Sequence, residues 1–159
     1  VSGDTRRSAS LEANARGADL LVHEALAPRL VRELERAAAA AGRANLARIA
    51  ADIPGYHTSP VEAAAVASAA GARHLLLTHV VPPLPLPGLD QVFLEGVGEA
   101  FGGGVTLGRD GTRVSHRRLR RRGGLAAMKV LRTPEERFRS LPVARAALAA
   151  FGLERSAAS

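Results

Sequence analysis

The chain has 159 residues, enough for one domain with a true core, and 47% of them are apolar but only 3% aromatic, so that core must rest on Leu, Val and Ala. Cysteine is absent, which excludes disulfides, thiolate metal sites and cysteine nucleophiles. The net charge of +7 is uneven: residues 1–111 carry 10 Arg against 12 acidic residues, whereas 112–159 carry 12 basic residues against 3 acidic, so the basicity does not characterise the main body.

In chain order, Ser2-Gly3-Asp4-Thr5 is a tight turn, and Ser8 to Arg16 is helix-prone, with Ser8 or Ser10 as N-cap and Gly17 as C-cap. Asp19-Leu20-Leu21-Val22-His23 has the short apolar run of a buried parallel strand. Good helix formers fill Pro28 to Asp52, divided at Gly42 and stopped at Pro54-Gly55. Thr58 or Ser59 can cap a helix that opens at Pro60, runs to Ala70 and stops at Gly71. Arg73 to Thr78 predicts the next strand, and the proline-rich Pro82 to Gly88 an extended loop. A helix is predicted over Leu89 to Phe101, then a turn at Gly102-Gly103-Gly104, a strand at Val105-Thr106-Leu107 and a last strand at Thr112 to Ser115. This alternation indicates an α/β layered fold. Beyond it come an Arg/Gly-rich linker (116–127) and a tail (128–159), which is irregular or helical. No apolar run approaches the roughly 18 residues of a membrane helix and no leader is visible. A cytoplasmic protein is therefore expected, although a segment before Val1 could carry an address.

Five residues or clusters could carry chemistry. Asp4 follows Gly3 in a turn that can hold a carboxylate outside a strand end, where it could bridge divalent ions; the same four residues also read as an ordinary turn before a capped helix. His79 closes the apolar strand Leu75-Leu76-Leu77-Thr78, at the strand end where α/β proteins bind ligands, or is a structural histidine. His23 and Glu24 end the earlier strand, without the second His that a His-Glu-x-x-His zinc motif requires. His57 stands before the helix at Pro60, whose first amides could hold an anion with His57 as proton donor; Thr58-Ser59-Pro60 is equally plain helix-start chemistry. Arg117, Arg118, Arg120, Arg121 and Arg122 could contact nucleic-acid phosphates, the alternative function.

The order of these motifs is more specific than any one of them. Ser-Gly-Asp-Thr, Gly-Ala-Asp-Leu-Leu-Val-His-Glu-Ala, His-Thr-Ser-Pro-Val-Glu-Ala-Ala and Leu-Leu-Leu-Thr-His, in that order, resemble the C-terminal half of metallo-β-lactamase-fold hydrolases, in the arylsulfatase and ribonuclease Z branch. The resemblance covers about residues 1–115 and implies one half of an αββα sandwich. It implies Asp4 and His79 as ligands of a two-zinc site, and Glu24 and His57 as proton-transfer or substrate-contacting groups. The implied reaction is hydrolysis of a phosphoric, sulfuric or carboxylic ester by metal-bound hydroxide, on a small ester or phosphodiester substrate. Ala25 is followed by Leu26 where the ribonuclease form has Thr.

The family's His-x-His-x-Asp-His motif is absent from the sequence. The expectation is therefore a fragment that is inactive alone, binds zinc weakly, and self-associates or pairs with a missing N-terminal half through an uncovered sheet face. A second, short likeness begins at Met128, where Met-Lys-Val-Leu-Arg-Thr-Pro-Glu-Glu-Arg-Phe resembles the start of haloalkane dehalogenases; it carries no residue of their catalytic machinery.

Overall fold

A computed structural model describes residues 1–115 and, for the backbone only, residues 129–131. Its centre is a parallel sheet in the order β1 (Leu21–Leu26), β2 (His74–Val81), β3 (Gly104–Leu107). Parallel neighbours need long crossovers, and here helices supply them. The path from β1 to β2 contains α2 (Pro28–Ala40), α3 (Ala44–Asp52), a 3-10 turn (Ile53–Gly55) and α4 (Pro60–Ala69). The path from β2 to β3 contains α5 (Leu89–Phe93) and α6 (Val97–Ala100), while α1 (Ala9–Asn14) precedes β1. A separate antiparallel pair joins β4 (Arg113–Ser115) to β5 (Lys129–Leu131). The α/β class read from the sequence holds.

Local chemistry explains the helix ends. Ser8 caps α1 by accepting from the Leu11 amide, and Ser59 caps α4 in a reciprocal box with Glu62. Pro60 opens α4 without forfeiting a needed donor. Gly17, Gly42 and Gly71 leave their helices in the left-handed conformation.

Directly paired residues share a sheet face. Leu21 lies beside Leu75, and His23 beside Leu77. That face packs on Ala63, Ala64, Val66 and Ala67 of α4 and on Phe93, Val97 and Phe101, forming the main core. The small side chains Ala63, Ala64 and Ala67 are fully buried, which lets α4 lie close to the sheet, while Val61, Glu62, Ser68 and Ala69 face outward. The opposite face is mixed, with Val22, Leu76, Thr78 and Thr106 half-buried and Glu24, beside Thr78, fully buried. Leu26, Val31 and Ala50 form a smaller cluster under α2 and α3.

Element boundaries differ from the sequence reading, most of all in β1, in β2 and in the helix after the proline-rich loop. β1 begins at Leu21 and continues to Leu26, so His23 and Glu24 stand within the strand and not at its end. β2 continues past Thr78 to Val81. The helix expected over 89–101 is two short ones, because Gly96 takes φ 79° and turns the chain between them.

Candidate functional site

The N-terminal segment runs along the outer edge of β1, on the side away from β2. The Ser2 amide donates to the Val22 carbonyl (2.8 Å), and the Glu24 amide donates to Ser2 Oγ (3.1 Å). The chain then turns at Gly3-Asp4, which brings Asp4 toward β2. On β2, Thr78 pairs with Glu24 but Val80 pairs with Ala25, so His79 is the extra residue of a bulge. His79 has φ 43°, the one positive value among the described non-glycine residues. A bulge of this kind re-aims a side chain, and an outlier backbone is tolerated where surrounding structure enforces it.

As a result Asp4 Oδ1 and His79 Nδ1 are 2.6 Å apart. Both side chains are about half exposed, at 57% and 51%. A pair this wet contributes only about 0–1 kcal/mol to stability, so folding alone does not account for it. His57 approaches from the loop before α4, its ring centroid 5.5 Å from that of His79. Asp4, His57 and His79 each offer one donor atom, all within 4.8 Å of one another.

Behind this cluster the setting is dry. Glu24 is 1% exposed, and its carboxylate accepts from the Thr58 amide (2.7 Å), from His57 Nδ1 (3.1 Å) and, at longer range, from the Thr5 amide (3.5 Å). Burying a carboxylate is costly unless such donors surround it. Since a carboxylate only accepts, Nδ1 of His57 carries the hydrogen, leaving Nε2 of the neutral ring with a lone pair. A histidine oriented by a buried carboxylate is the usual setting for a metal ligand or a proton carrier. Thr58, 1% exposed, donates its hydroxyl to the Thr5 carbonyl and so ties the Asp4 turn to the His57 loop. Tyr56 lies at the rim, 48% exposed, its ring centroid 5.1 Å from that of His57.

The structure thus gathers Asp4, Glu24, His57 and His79 into one place. His23, fully buried, has Nδ1 2.7 Å from the Glu24 carbonyl, and its Nε2 has no partner among the described residues. Three of the amides around the helix start considered for an anion have acceptors within the protein, that of Thr58 in Glu24 and those of Ser59 and Glu62 in the capping box. His74 lies away from the cluster, with Nε2 2.8 Å from Thr106 Oγ1, and burial pushes its pKa below the ordinary 6.5. Arg117, Arg118, Arg120, Arg121 and Arg122, the linker and most of the tail lie outside the described residues. The parts played by Ser2 and Thr58 in the site are not evident from sequence; the only trace of each is its place beside a candidate residue, Ser2 in the turn of Asp4 and Thr58 next to His57.

The donor set of one carboxylate and two imidazoles suits a divalent transition ion such as zinc, though it falls one short of the four positions zinc fills in a closed site. Among the described residues no helix is long and apolar enough to cross a membrane. No protein-family profile matches the chain. It is similar to a ribonuclease Z of Mycobacterium tuberculosis, 33% identical over 114 residues, covering 72% of this chain and 37% of that protein. A ribonuclease Z of Mycobacterium sp. (strain KMS) is 38% identical over 114 residues, covering 72% of this chain and 36% of that one. The chain spans less than half the length of the curated relatives it matches. The metallo-beta-lactamase fold protein YhfI from Bacillus subtilis superposes with a TM-score of 0.43 and 23% identity, over 65% of this chain and 33% of that one, too partial a likeness to add weight.

Proposed function

The chain belongs to the ribonuclease Z-like branch of the metallo-β-lactamase-fold hydrolases, and from that kinship we propose that its cluster is part of a metal-dependent phosphodiester-hydrolysing site. In this reading Asp4 and His79 hold the metal, zinc by the chemistry of the donors. His57, oriented by Glu24, moves the proton at its Nε2 or takes a ligand position itself. When bound, such an ion polarises the ester and lowers the pKa of water. The chain's own residues do the rest. Glu24 keeps the His57 ring in one tautomer, Thr58 fixes the loop that carries it, and the bulge at His79 faces Asp4.

The observation that supports this most directly is the pairing of a half-exposed Asp4–His79 contact with the buried Glu24–His57 pair beside it. A structural ion pair would not need both. Sulfuric and carboxylic esters remain within reach of the same chemistry; the ribonuclease relatives favour phosphodiesters.

With three donors for a family site that holds two ions, zinc binding by this chain alone is expected to be weak, and turnover of bis(p-nitrophenyl) phosphate slow or absent. Calorimetric titration with Zn²⁺ checks this. One weak site, lost in Asp4→Ala and His79→Ala, is the expected result; two tight ions per chain would overturn the expectation of weak binding, and a zinc isotherm unchanged in both variants would overturn the assignment of the ligands.

A further inference from the structure

We propose that His23 is a positioning residue, whose Nδ1–H closes the outer edge of β1 at the point where the N-terminal segment leaves it to deliver Asp4. Val22, Glu24 and Leu26 turn their backbone groups to that edge. The Val22 carbonyl is met by the Ser2 amide (2.8 Å), the Glu24 amide by Ser2 Oγ (3.1 Å) and the Leu26 amide by the Thr58 carbonyl (2.9 Å). Between the amides of Glu24 and Leu26 in this row lies the Glu24 carbonyl. A chain that continued alongside would meet it with an amide, but residues 3–5 turn aside, and the Thr5 amide faces the Glu24 side chain instead. No backbone amide of the described residues outside the regular elements reaches that carbonyl. His23 Nδ1, 2.7 Å away, supplies the missing donor.

The tautomer follows from the acceptor. A carbonyl cannot donate, so Nδ1 carries the hydrogen and Nε2 is bare. That Nε2 is buried without a partner among the described residues. An apolar side chain of similar size would fill this part of the core without leaving a polar atom stranded. The bond at Nδ1 is what offsets the stranded atom. It fixes the backbone of Glu24, whose carboxylate in turn holds His57 and the Thr58 loop. His23 thus acts on the site through the main chain, although it touches none of the three donor residues' ion-binding atoms. This inference rests on the metal-site reading for its consequence, but not for the bond itself.

Two measurements on the full chain test it. Nitrogen-15 NMR of the unsubstituted protein should find His23 as the Nδ1–H tautomer; an Nε2–H tautomer would overturn the proposal whatever the site binds. The second measurement compares two variants. His23→Asn places an amide N–H near the Nδ1 position, whereas His23→Leu keeps bulk and removes the donor. Cobalt(II) titration, followed by its visible absorption, should be near normal in His23→Asn and about tenfold weaker in His23→Leu, as for other outer-shell partners. Equal affinity in His23→Leu and the unsubstituted chain, or no advantage of His23→Asn over His23→Leu, would overturn it. Should the unsubstituted chain bind no cobalt, the metal reading fails, and the His57 ring resonances take over: unchanged in His23→Leu, they refute the positioning role.

Discussion

Glu24 is where the cost of burial and the needs of the site meet. Its carboxylate accepts from the Thr58 amide, His57 and the Thr5 amide inside an almost dry pocket. Hydrogen bonds to a charged group are among the stronger ones, and a buried donor stripped of its acceptor bears a full desolvation penalty. Glu24→Ala is expected to destabilise the fold by about 2–3 kcal/mol in urea denaturation. Glu24→Gln keeps one acceptor oxygen, so it should be milder while still releasing His57. A Glu24→Ala protein as stable as the original would show that these bonds contribute nothing net.

Elements explain which parts could be read in the sequence. The caps were legible because their chemistry is local: Ser59, Pro60 and Glu62 specify the start of α4 within a single turn. The strand ends were not, because pairing sets them. β1 runs to Leu26 and β2 to Val81 by matching each other, and the extra residue at His79 exists only relative to β1. Asp4, His57 and His79 could be picked out by residue type and motif order, but the contact between Glu24 and His57 spans 33 positions and no periodicity encodes it. The break at Gly96 is hidden in the sequence for a different reason. Glycine in a helical pattern can be tolerated or can break it, and here φ 79° breaks it. Its missing side chain also matters, since an added Cβ would sit 3.3 Å from Val61 Cγ2 of α4. Gly96→Ala is expected to cost about 1–2 kcal/mol from the left-handed backbone alone, read as a lowered Tm; an unchanged Tm would mean the α5–α6 turn relaxes freely.

At the scale of the molecule, two titrating groups bend stability the same way. Glu62 has its pKa held below the ordinary 4.5, first by the Ser59 hydroxyl and then by the Ser59 amide. Its contribution is complete above the unfolded value and is lost as pH falls through the folded one. His74 is lowered from 6.5 by burial, so the unfolded chain takes up its proton first. Stability therefore starts to fall once pH drops below 6.5 and falls further below 4.5. Urea midpoints measured from neutral pH downward should show the first decline weakened in His74→Gln; an unaltered decline would remove His74 from the account.

Tyr56 has a use as an optical reporter. The chain has one tyrosine and no tryptophan, so its near-ultraviolet emission originates at the rim of the candidate site, beside His57. A paramagnetic ion arriving there, or a planar group settling over that ring, changes the fluorescence with no label attached. Occupancy of the cluster can therefore be followed in dilute solution with light alone.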